Sequence, residues 1–133
     1  MQEANRLCLF VVQLIKACLS GKCAIIVENP LTSRLWLFPP LAELLPQCTS
    51  LGYFDHCAYG APWKKPTKLA AWNIDAGSLF AQCRHAPSTC GRGPGAHEQL
   101  SGLRSGDGTF KTALASGYPL EFSRKFAEVV SPY

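Results

Sequence analysis

The chain reads Cys23-Ala-Ile-Ile-Val27 directly before Glu28-Asn29-Pro30, and this stretch decides the predicted fold. The apolar run does not alternate with polar residues, which is typical of a parallel strand covered on both faces. The polar tripeptide then ends the strand. Because ligands gather at the carboxyl ends of parallel strands, Glu28 is the first candidate for a functional side chain. A carboxylate that only caps the turn is the alternative.

A helix is predicted before this strand. Residues 7–19 are nearly all apolar, and helical spacing places the polar residues in and around them on one narrow stripe. These polar residues are Arg6, Gln13, Lys16 and Ser20. We therefore predict a mostly buried helix that packs on one face of a sheet. The apolar stretch is shorter than the about 20 residues that span a bilayer, so we expect no membrane partner. A signal peptide is the alternative.

The rest of the chain predicts shorter elements and many loops. Most of the 11 glycines and 10 prolines follow residue 38. Residues 31–46 predict an interrupted helix, and residues 119–130 predict a closing helix. Residues 52–59 and 67–72 are rich in strand formers and predict an antiparallel hairpin with residues 63–66 at its tip.

These elements predict one α/β domain with a short, mainly parallel sheet, in which residues 24–27 form the central strand. The chain of 133 residues fits a single partial domain. Within it, residues 1–82 are the α/β core portion, residues 83–117 are a Gly-rich loop with Cys and His, and residues 118–133 hold the closing helix.

Composition limits the cellular setting and the partners. Thirteen basic and nine acidic residues give a net charge of +4, which permits contact with a polyanion without requiring it. The number of cysteines, seven, is odd, and the first three lie in or beside the apolar stretch. We interpret most of them as buried thiols in a reducing compartment. We therefore expect an intracellular protein, cytoplasmic or nuclear, that is not secreted.

Four residues with zinc-ligand chemistry lie within fifteen positions of the Gly-rich loop: Cys83, His85, Cys90 and His97. A structural zinc ion would order a loop that has few apolar residues. The spacing does not match a zinc finger with strictly paired cysteines. Exposed loop residues without a metal are the alternative.

A basic cluster lies at the tip of the predicted hairpin. Lys64, Lys65 and Lys68 surround Thr67, and Trp63 precedes them. Cations next to aromatic rings suit contacts with phosphates and bases, and Trp72 is a further possible stacking partner. A solvated hairpin tip is the alternative.

Several motifs follow one another in a characteristic order. They are Ile25-Ile-Val-Glu-Asn-Pro30, Arg34-Leu-Trp36, Asp55-His-Cys-Ala-Tyr-Gly60, Lys65-Pro-Thr67, Cys83, His97 and Tyr118-Pro119. This order, over residues 22–130, resembles the carboxyl-terminal half of phage-type DNA cytosine-5 methyltransferases. Similar segments occur in proteins of viral and mobile-element origin. The resemblance implies a partial Rossmann-like methyltransferase fold.

The resemblance also implies roles for individual residues. Glu28 would contact a flipped cytosine and assist its activation, and Asn29 would orient the loop. Arg34, Lys65 and Thr67 would face the DNA or order the site.

The chain lacks two parts of the family pattern. The glycine motif for S-adenosylmethionine and the Pro-Cys nucleophile belong upstream of the glutamate, and neither occurs before Glu28. The resemblance implies S-adenosylmethionine as cofactor, DNA as a weakly bound partner and a second chain that supplies the missing half. We expect the isolated chain to be inactive. A non-enzymatic nucleic-acid-binding or structural remnant of a viral or mobile-element protein is the alternative.

Overall fold

Three strands form a sheet in the computed structural model, which describes residues 2–83, 97–98, 100, 106, 108–109 and 111–133. The strands are β1 (Ile25–Pro30), β2 (Ser50–Asp55) and β3 (Pro66–Trp72). Their order is β1-β3-β2, and β3 pairs antiparallel with both neighbours. β1 and β2 therefore run in the same direction on either side of β3.

Helices surround the sheet. They are α1 (Gln2–Gly21), α2 (Pro39–Ala42), α3 (Lys111–Leu114) and α4 (Leu120–Val130). Single 3-10 turns lie at Arg34–Leu37, Leu45–Gln47, His56–Tyr59 and Gly77–Leu79. The predicted interrupted helix at 31–46 is thus a 3-10 turn, then α2, then a second turn.

The prediction of a mainly parallel, Rossmann-like sheet with residues 24–27 at its centre is wrong. β1 is an edge strand, and its partner β3 is antiparallel, with Ile25 opposite Trp72. β3 is the central strand, and its residues 69–72 are at most 1 % exposed. The error has a physical cause. A strand loses its alternation whenever both faces are covered, and this burial does not depend on the direction of the neighbouring strand.

Each face of the sheet carries its own core. On the first face, Phe54 and Leu69 pack with Phe122 of α4. On the second face, Ala70 and Trp72 pack with side chains of α1, of α2 and of the turn before α2. Alternate residues of β3 face opposite sides, so this one strand contributes to both cores.

Two predicted elements are confirmed. β2 and β3 form the antiparallel hairpin, with Phe54 opposite Thr67 and Asp55 opposite Pro66. The closing helix is α4, which begins directly after Pro119. Proline suits this position because its fixed φ leads the chain into a helix.

α1 is a helix, as predicted, but the prediction that it is mostly buried is wrong. Val12 and Ile15 are buried, whereas Leu7 is 65 % and Phe10 is 59 % exposed. The cause is that the turn before α2, together with α2 itself, covers much of the sheet face that α1 would otherwise cover.

The stretch Glu3–Gly21 of α1 is long and apolar enough to cross a membrane, and 11 % of it is buried. Core helices of soluble proteins and signal sequences have the same length and composition. An intracellular location and the lack of a membrane partner therefore stay predictions.

Candidate functional site

Glu28 lines a pocket between β1 and α4. Ile26 and Glu28 alternate with the residues that face the second core, so both lie on the α4 side of the sheet. The pocket has a volume of about 220 Å³, and its walls include Leu69, Phe122 and Phe126. Its lining is therefore mostly apolar, and Ser123 adds a hydroxyl-bearing side chain.

Tyr118 also lines the pocket, on which the Glu28 carboxylate borders. Burial, followed by the effect of the neighbouring carboxylate, raises the pKa of Tyr118, so the phenol is neutral at pH 7. Its ring stacks on Phe122 with 5.3 Å between ring centroids. The pocket thus combines a hydrogen-bond acceptor with aromatic walls, which suits a small planar ligand.

Asn29 lies on the opposite side of the sheet from Glu28, because neighbouring strand residues face opposite sides. Its partner across the strands is Lys68, whose Nζ atom lies 4.9 Å from the centre of the Trp36 ring. The Trp36 indole donates to the Pro30 carbonyl at 2.9 Å and fixes the end of β1. The structure therefore separates the two predicted catalytic side chains.

Arg34 is exposed in the same 3-10 turn that contains Trp36. This turn follows the end of β1, and Lys68 lies over its Trp36 ring. Arg34 and Lys68 are therefore associated with one end of β1 rather than with the hairpin tip.

The predicted basic cluster at the hairpin tip is dispersed. Lys64 is exposed, whereas the Lys65 ammonium donates to the Ala115 carbonyl at 2.6 Å. Thr67 is 1 % exposed, so its hydroxyl is not accessible to DNA in this structure. Trp72 is fully buried, and the prediction that it stacks on bases is wrong. Lys64 is the lysine of the tip that is most available to a ligand.

His56 lies beneath the tip and is fully buried. Its Nε2 atom is 3.2 Å from the Thr67 hydroxyl, and its ring stacks on Phe54. Burial, and to a smaller extent the charge of Lys65, lowers the pKa of His56 to about 4. The imidazole is therefore neutral at pH 7, and it holds β3 to the turn that follows β2.

Two of the four predicted zinc ligands lie together. The Cys83 Sγ atom is 3.5 Å from His97 Nε2, and Cys57 completes a group whose ligand atoms all lie within 4.8 Å of one another. His85 and Cys90 lie outside the described residues. Sequence reasoning did not include Cys57 because it belongs to the hairpin, and no regular spacing connects it with Cys83.

The contact between these cysteines arises from tertiary structure. The Asp55 amide donates to the Ala81 carbonyl at 2.9 Å, and the Cys83 amide donates to Asp55 Oδ2 at 2.8 Å. Both bonds fix residues 81–83 against the end of β2, where Cys57 follows. The sequence placed Cys57 inside the predicted strand at residues 52–59 and gave no signal that connects it with Cys83.

Comparison of the chain with protein-family models, with curated proteins and with solved structures finds no match.

Proposed function

We propose that this chain binds a nucleobase in the manner of a DNA cytosine-5 methyltransferase and that a second chain completes the enzyme. The observation that supports the proposal is Glu28 beside Tyr118 in an apolar pocket. A carboxylate is a hydrogen-bond acceptor, and the exocyclic amino group of cytosine is a donor. The volume of about 220 Å³ is below the usual range for drug-sized ligands and favours a single ring.

The cofactor belongs to the second chain in this proposal. S-adenosylmethionine would require a glycine-rich loop upstream of the glutamate, but residues 2–21 before β1 form the helix α1. The residues present do not fit the cofactor, and we assign no step of methyl transfer to them. The contribution of this chain is the recognition of the base.

Glu28→Gln is expected to remove a preference for cytosine. The probes are two fluorescently labelled single-stranded oligonucleotides, one of thymidines alone and one with a single central cytosine. We expect the unmodified chain to bind the cytosine-containing probe about tenfold more tightly than the thymidine probe. This difference corresponds to one hydrogen bond with a charged group. Glu28→Gln should bind both nearly equally, because its neutral amide oxygen accepts a weaker hydrogen bond than a carboxylate and its NH2 group cannot accept one.

Glu43→Gln is the matched control, since Glu43 is an exposed acid at the end of α2. It should keep the preference for the cytosine probe. Equal binding of both probes by the unmodified chain would contradict the proposed function.

A non-enzymatic nucleic-acid-binding module is the second candidate, and the exposed Lys64 favours it. Lys64→Ala should weaken binding to a labelled DNA duplex at all sequences. The slope of log affinity against log salt should fall by about one, because one phosphate contact is lost. Lys16→Ala removes an exposed lysine of α1 and serves as control. If the two variants bind alike, the hairpin tip is a solvated turn.

A further inference from the structure

We propose that Cys57, Cys83 and His97 bind one zinc ion. Cys57 lies in the 3-10 turn after β2, and Cys83 lies in the segment 81–83 beside that turn. His97 comes from a separate part of the chain. Cys57 is 3 % exposed, and the other two are half-buried. The site is therefore shielded but reachable from solvent, as a metal site requires.

The distances match the geometry of zinc. Zn–S bonds of about 2.3 Å and Zn–N bonds of about 2.0–2.1 Å place a sulfur and a nitrogen about 3.6 Å apart in a tetrahedral site. The Cys83–His97 distance of 3.5 Å has this value already. The remaining pairs lie within 4.8 Å, and two sulfurs on one zinc ion are about 3.8 Å apart, so adjustments of about 1 Å complete the set.

The chemistry of the ligand set selects the metal. Thiolates and imidazoles favour zinc among the abundant divalent ions, whereas magnesium and calcium prefer oxygen ligands. Three protein ligands leave a fourth position for water or for another donor.

Hydrogen bonds independent of the metal hold the ligands in place. Asp55 fixes the amide of Cys83 at 2.8 Å. The Glu98 amide donates to the Pro62 carbonyl at 2.9 Å, which holds the neighbouring His97 against the hairpin. A ligand set arranged in advance loses less conformational entropy when the ion binds.

Two buried polar atoms next to Cys57 add a second observation. Asp55 Oδ1 and His56 Nδ1 have no hydrogen-bond partner among the described residues, and these side chains are 2 % and 0 % exposed. An unpaired buried polar atom costs about 1–3 kcal/mol. Each unpaired buried group needs an explanation, and an ion bound at the neighbouring residues is one that the ligand set supplies.

The test uses the full chain, purified under reducing conditions without chelator. Elemental analysis should find about one zinc ion per chain. Cobalt(II) added to the metal-free chain should produce the charge-transfer absorption of thiolate bound to tetrahedral cobalt. Cys83→Ser and His97→Gln should each weaken zinc binding at least about 100-fold, because even outer partners of a ligand contribute 10–100-fold.

Cys23→Ser removes an exposed thiol and should bind zinc like the unmodified chain. Circular dichroism of each variant shows whether the variant is still folded when it no longer binds zinc. His97 is half-buried, so we expect His97→Gln to keep the fold. Absence of zinc and of the cobalt spectrum would overturn the proposal.

Discussion

Replacing Trp72 with alanine is expected to lower the free energy of unfolding by about 3–5 kcal/mol, the usual cost of removing a large buried aromatic ring. Trp72 is 0 % exposed at the centre of the second core. Its indole donates to the Leu44 carbonyl at 3.1 Å, so the variant also leaves that acceptor unpaired. Urea unfolding followed by far-ultraviolet circular dichroism measures the change.

Two variants test this assignment. Trp72→Phe keeps most of the ring and should cost less than Trp72→Ala. Leu51→Ala changes a side chain that is 45 % exposed and should lie within about 0.5 kcal/mol of the unmodified chain. If Trp72→Ala unfolds at the same urea concentration as the unmodified chain, Trp72 is not a core residue.

Gly52→Ala is expected to destabilise the chain by about 1–3 kcal/mol, the usual cost of forcing extra atoms into a packed contact. A Cβ atom at this position of β2 would lie 2.6–2.8 Å from three ring atoms of Phe80. The ring covers the strand there, so it has to move before a methyl group fits. Chemical unfolding of the variant measures the cost.

A double-mutant cycle isolates the contact between Gly52 and Phe80. In a Phe80→Ala background, Gly52→Ala should cost less than about 0.5 kcal/mol, the range of ordinary surface changes. Gly117→Ala is the control, since a Cβ there would have no neighbour within 4 Å. An equal cost of Gly52→Ala in both backgrounds would show that the ring does not cause the effect.

The sequence was informative where the determinants of structure are local. Turn-forming residues between two runs of strand formers predicted the β2–β3 hairpin, which the structure contains. A proline followed by apolar residues at helical spacing predicted α4. In both cases, residues close in the chain decide the conformation.

Sequence reasoning failed where residues that are distant in the chain determine the structure. Nothing in residues 25–27 shows that their neighbour is β3 rather than a parallel strand. Likewise, the apolar side chains of α1 predict burial only if the sheet has room for them, and Trp36 and Leu41 occupy part of that face. Strand order and helix exposure follow from tertiary packing, which the periodicity of one segment does not contain.

The candidate sites show the same division. Cys83 and His97 were found because they lie in one loop, and Cys57 was missed because it comes from the hairpin. Glu28 was found from its position after the predicted strand at 24–27, although β1 continues to Pro30. Its neighbour Tyr118 belonged to a quoted motif, but only the packing of α4 against β1 explains their contact.

The strand order also determines when the sheet can form. β3 is the last of the three strands along the described part of the chain, yet it lies between β1 and β2, and Ile25 pairs with Trp72. During synthesis on the ribosome, both earlier strands therefore emerge without a partner and wait until β3 follows. Such long-range pairing slows folding and leaves apolar segments open to aggregation in the meantime. A chain that ends before residue 66 contains the sequences of two strands and no strand to join them.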